Sequence, residues 1–106
     1  MSKSMKAESL GILVSTDQHL DYVLKLTDAA CARNKTVAVF FTGKGVLLTQ
    51  DPGFEKLVDK AKLSVCDMSF RAMGLSGTVP GVGAKDFTTQ ARSAEVIKRC
   101  DRYVVF

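Results

Sequence analysis

Four short apolar runs constrain this chain more than anything else in it: Leu10-Gly-Ile-Leu-Val14, Thr36-Val-Ala-Val-Phe-Phe41, Leu63-Ser-Val-Cys66 and Arg102-Tyr-Val-Val-Phe106. They are short, continuous rather than alternating, and rich in β-branched residues, which is how strands covered on both faces read. The first extends to Ser15 and stops at the polar cluster Ser15-Thr-Asp-Gln-His19. From Leu20 to Arg33 the residues Leu20, Val23, Leu24, Ala30 and Cys31 recur at helical intervals, with Asp21, Lys25, Asp28 and Arg33 on the other side. This spacing predicts an amphipathic helix capped by Thr16 or Asp17.

The second run ends in the turn-forming Thr42-Gly43-Lys44-Gly45, and Gly45 to Thr49 fits either a helical turn or a loop. Asp51-Pro52 marks a helix start, and Phe54, Leu57, Val58 and Ala61 carry that helix to about Lys60. Behind the third run, Asp67 to Met73 reads as a helix with Gly74 as its C-cap. Gly77 to Gly83 reads as a loop holding one short strand around Val79, and Thr88 to Arg99 as a last helix.

Short buried strands alternating with helices are the pattern of βαβ units. The expected fold is a single three-layer α/β/α domain over residues 10–106, with a mostly parallel sheet of four to five strands and a flexible segment at 1–9. A chain of 106 residues, 46% hydrophobic and 25% charged, has the size and composition of one globular domain. Its net charge of +4 is spread over helices and loops rather than gathered in a tract, and its aromatic residues do not interleave with basic ones, so a nucleic-acid partner is not indicated. The two N-terminal lysines precede no apolar core, and no apolar run approaches the ~18 residues needed to cross a bilayer. A cytoplasmic protein without a membrane partner is expected.

Three cysteines, Cys31, Cys66 and Cys100, form neither a disulfide framework nor a Cys-x-x-Cys metal motif, and His19 is the one histidine. No structural metal site is expected. Parallel sheets bind ligands outside the carboxyl ends of their strands. Cys66 ends a strand and begins a helix, which places it at that edge, whereas Cys31 and Cys100 fall toward the opposite one. Unpaired N–H groups at a helix start favour thiolate. Ser69 is spaced to donate to the sulfur, while Asp67 either raises the thiol pKa or turns outward as a cap. Lys44 and His19, on the same edge, are candidate supporting groups. Two readings of Cys66 stand at this level: a reactive nucleophile, or a small apolar residue in a core. Thr42-Gly-Lys-Gly45 lacks the spacing of a phosphate-binding loop and reads as a plain turn.

Two stretches carry a resemblance. Val37-Ala-Val-Phe-Phe-Thr-Gly-Lys-Gly-Val46 and Val65-Cys-Asp-Met-Ser-Phe-Arg-Ala-Met-Gly-Leu75 are similar to the second strand, and to the third strand with its following helix, of the DsrE/DsrF-like small sulfur-relay proteins, which include TusD-type subunits. The closing Cys100-Asp-Arg-Tyr-Val-Val-Phe106 fits that family's last strand. The resemblance implies a sulfurtransferase, needing no metal or organic cofactor, in which Cys66 carries sulfur as a persulfide between donor and acceptor proteins, in a dimer, trimer or hexamer. The chain lacks the glycine-proline turn that some members have after the first strand. Some members lack a working cysteine, so a non-catalytic scaffold binding a partner or small anion is the alternative. A flavodoxin-like nucleotide or flavin domain is disfavoured because Ser15 to His19 contains no glycine.

Overall fold

The computed structural model describes residues 8–106. Five strands, β1 (Ser9–Val14), β2 (Thr36–Phe41), β3 (Lys62–Cys66), β4 (Phe87–Thr88) and β5 (Arg102–Val105), form one sheet in the order β4-β3-β2-β1-β5, and every pairing is parallel. Three α-helices connect them: α1 (Leu20–Ala32), α2 (Asp67–Ala72) and α3 (Gln90–Lys98). The α/β architecture and parallel sheet are those expected from the alternation of apolar runs and helical segments. Of the segment 1–9, residues 1–7 lie outside the described residues, and Ser9 opens β1.

Alternate residues of the central strands face opposite layers. Ile12, Val14, Val39, Phe41, Leu63 and Val65 face a large core shared with Val23 of α1, Phe70 of α2 and Phe54 and Leu57 of the β2–β3 connection. On the other face Phe40 and Cys66 meet Ile97 of α3, with Leu13 and Ala38 beside them. Burial on both faces explains why these strands are continuous apolar runs. α3 leads from β4 to β5, the two edges of the sheet.

Several local expectations change. The N-cap of α1 is His19, with no side-chain cap bond, rather than Thr16 or Asp17. The connection after β2 is two 3-10 segments, Gly43–Gln50 and Pro52–Leu57, not a turn followed by an α-helix to Lys60. Asp51 and Pro52 do mark a start, since the Asp51 carboxylate accepts from the Gly53 amide at 2.8 Å. A close approach shapes this connection: a Cβ on Gly45 would lie 2.2 Å from the carbonyl oxygen of Val14. The fourth strand is Phe87–Thr88, while Val79 makes only an isolated antiparallel bridge to Val82. Thr88 therefore belongs to β4, and Thr89 caps α3 by accepting from the Arg92 amide.

The end of α2 follows the expected glycine signal closely. Gly74 adopts a φ of +77° just beyond the C-cap Met73. Its amide donates to Arg71 O, and that of Leu75 to Phe70 O, at 3.0 and 3.1 Å. This is a Schellman closure, with Phe70 buried in the large core and Leu75 packed against it.

Candidate functional site

Cys66 is the last residue of β3 and the N-cap of α2, so the join seen in the sequence is real. A parallel strand running directly into a helix leaves the first N–H groups of that helix without intrahelical partners. The sulfur takes up part of that deficit, accepting from the Ser69 amide at 3.5 Å. With only six residues, α2 has a small dipole, and the local N–H groups of Met68 and Ser69 provide its effect on the thiol.

Two hydroxyls complete the surroundings. The Ser69 hydroxyl, which accepts from the Gly43 amide at 3.0 Å, lies on the sulfur's side of the helix start and favours the thiolate. With one acceptor role taken by Gly43, its proton is free to point at Cys66. Thr42 is the second hydroxyl that favours the thiolate. The β2–β3 register ends with Phe41 opposite Val65, so one step further Thr42 stands beside Cys66. Thr42 is buried and held in turn by its amide, which donates to Val14 O at 2.9 Å.

Burial pushes the Cys66 thiol up, and the hydrogen bonds from Ser69, Thr42 and Met68 pull it down by more, leaving it below the ordinary thiol value. The residue is only 4% exposed and packs against Phe40 and Ile97, yet it lines a cavity of about 650 Å³ at the carboxyl edge. Arg71, Lys85 and Arg92 also line that cavity, with the exposed Met68 beside them. Arg71 is paired to Asp67 at 3.0 Å; neither Lys85 nor Arg92 takes part in an ion pair among the described residues.

The other candidates fall differently around this centre. Ser69 holds its expected place. Asp67 is the first residue of α2 rather than its cap and directs its carboxylate to Arg71, four residues along the same helix. Lys44 is exposed and is not among the groups bonded to the sulfur; its turn contributes the backbone amide of Gly43 instead. The His19 ring lies against Tyr22 and Phe106, at centroid distances of 5.7 and 6.0 Å. Phe106 follows β5, three strand spacings from β3, or roughly 14 Å. His19 thus sits at the β1/β5 boundary, where the strand order reverses, and is not part of the cysteine site.

Thr42 was missed by the sequence reading, which treated its segment as a plain turn. The available signal was its place at the carboxyl end of the strand next to β3. Cys31 and Cys100 lie elsewhere, their thiols donating to Lys60 O at 3.3 Å and Val96 O at 3.6 Å. Among the described residues no three His, Cys, Asp or Glu side chains are grouped to hold a metal ion, and no helix is long and apolar enough to cross a membrane. Compared with protein-family models, curated proteins and solved structures, the chain matches none of them.

Proposed function

We propose that the protein is a sulfur carrier of the DsrE-like type, accepting and passing sulfane sulfur as a persulfide on Cys66. The observation that carries this reading is the ring of donors around the sulfur. A thiol placed merely to fill a core needs no hydrogen bonds, whereas this one accepts from the Ser69 amide, has its thiolate favoured by the neighbouring Ser69 and Thr42 hydroxyls and opens on a cavity.

In the forward step the Cys66 thiolate attacks the outer sulfur of a donor persulfide. The new bond joins Sγ of Cys66 to that sulfur, the donor's S–S bond breaks, and the donor leaves as a thiolate. The persulfide proton stays with the transferred sulfur or goes to solvent. Onward transfer repeats the exchange with an acceptor thiolate, so the cycle needs no external oxidant or reductant. Ser69, Thr42 and the Met68 and Ser69 amides hold the negative charge before attack and again when Cys66 departs. In this reading the donor and acceptor are cytoplasmic proteins docking over Met68, and Lys85 and Arg92 attract their anionic persulfides. Cys66→Ser is expected to abolish sulfur loading from a persulfide donor with an unchanged far-ultraviolet circular dichroism spectrum; full loading of that variant would refute the assignment.

The burial of Cys66 against Phe40 and Ile97 favours a second reading, a non-catalytic scaffold whose carboxyl-edge cavity binds a partner or small anion. An alkylation rate at Cys66 no faster than that of Cys31 or Cys100 at neutral pH would select it.

A further inference from the structure

Among the described residues no element covers the β5 edge of the sheet. All four of its residues are exposed, Tyr103 by 57% and Val105 by 58%. Soluble proteins ordinarily protect such an edge with proline, charge, a bulge or a covering element. Arg102 puts one charge at the start of the strand, and Tyr103-Val104-Val105 beyond it has neither proline nor charge.

The hydrogen-bond parity of the edge is defined by Phe106. Its amide donates to Leu13 O at 2.7 Å and its carbonyl accepts from the Ser15 amide at 2.8 Å, so both of its polar groups face β1. Direction alternates along a parallel strand. Val104, in register with Ile12, therefore also faces β1, and Tyr103 and Val105 turn their N–H and C=O groups outward. Among the described residues no hydrogen bond reaches those outward groups.

This arrangement is complementary to itself. With two copies of β5 antiparallel and Val104 on the axis, Tyr103 of each stands opposite Val105 of the other. The two residues of each pair exchange both N–H···O bonds, giving four bonds in all. The side chains agree with this register. Tyr103 and Val105 are registered with Gly11 and Leu13, on the α3 face. Each tyrosine ring would therefore cover the other copy's Val105, an aromatic and β-branched pair of the kind that stabilises cross-strand contacts. The two Val104 side chains, 38% exposed in one copy, meet on the opposite face. Arg102, the one charged residue of β5, stands opposite Phe106 at the outer end of the pairing.

We propose that β5 pairs antiparallel with β5 of a second copy of this chain, joining two five-stranded sheets into one ten-stranded sheet about a two-fold axis at Val104. The occupant is a second copy because one short segment supplies both halves of the hydrogen-bond and side-chain match. The remaining outer edges are the two-residue β4 strands, too short to template further addition. Cys66 on β3 lies three strands from this interface, so the inference is independent of sulfur transfer.

Analytical ultracentrifugation of the full chain over a concentration series tests it, using wild type, Val105→Pro and Tyr103→Lys. Proline at 105 removes an outward N–H and leaves the β1–β5 bonds intact, and lysine at 103 places like charges at both pairs. The expected result is a wild-type dimer and two monomeric variants with native circular dichroism. If Val105→Pro fails to fold, Tyr103→Lys decides alone. A wild type that stays monomeric throughout, or an assembly of any size that survives in every folded variant, overturns the proposal.

Discussion

The backbone amide of Gly43 donates to the hydroxyl of Ser69 at 3.0 Å, bridging the end of β2 and the first turn of α2. The contact ties the orientation of a side chain on one element to the backbone of another. It thereby links the glycine-rich connection after β2 to the ionisation of Cys66, which neither Gly43 nor Lys44 touches through a side chain.

Removing the hydroxyl donors should raise the thiol midpoint. Ser69→Ala and Thr42→Val each leave burial, which disfavours thiolate, less opposed. The pH midpoint for alkylation of Cys66 is expected to rise in both variants, with a several-fold slower rate at neutral pH. The folded-state pKa of wild-type Cys66 is lowered, so thiolate stabilisation is fully present above the unfolded thiol value of about 8.5 and is lost as pH falls through the folded value. The stability advantage of wild type over Cys66→Ser should therefore grow with pH across that window. Unchanged alkylation midpoints in both hydroxyl variants would contradict the donor assignment.

Gly45→Ala should damage the site from a distance. Its Cβ would lie 2.2 Å from Val14 O, a backbone atom that cannot swing aside. The 3-10 segment must shift, at a cost of about 3 kcal/mol in urea unfolding, and the Thr42–Gly43 turn shifts with it. A loss below about 0.5 kcal/mol, the usual range for an inconsequential surface change, would show that the approach is not tight.

Thr27→Val should stabilise the protein. Thr27 is fully buried in α1, and its hydroxyl has no hydrogen-bond partner among the described residues. Valine keeps the shape without the buried polar atom and should gain about 1 kcal/mol of unfolding free energy. A stability loss would reveal a bond made by that hydroxyl.

Charge at the mouth of the cavity should govern the rate of loading. Lys85 and Arg92 are exposed cations lining the cavity on which Cys66 opens. Arg92→Glu is expected to slow sulfur loading from an anionic persulfide about tenfold at low ionic strength, with the difference shrinking as salt is added. Equal rates at low salt would remove the electrostatic role.

The central strands were legible because burial on both faces writes itself as uninterrupted apolar residues, as in Val37 to Phe41. The strand-to-helix join at Cys66 followed from the same pattern. The 3-10 segments were not, because Val46, Leu48, Phe54 and Leu57 mark burial without distinguishing a tight helix from an α-helix. β4 was hidden because two residues, Phe87 and Thr88, carry no period. In the site, the Cys66–Ser69 spacing pointed to a local hydrogen bond. Thr42 came into view only with strand pairing, which joins residues 24 positions apart. His19 shares the carboxyl edge as expected yet lies apart from Cys66, because a common edge does not mean adjacent strands.

The most direct test is peptide mapping by mass spectrometry after reduced wild-type protein has been incubated with a persulfide donor. The account predicts a mass increase of one sulfur atom on the peptide containing Cys66 and none on those containing Cys31 or Cys100. No added sulfur at Cys66, or equal labelling of all three cysteines, would contradict it.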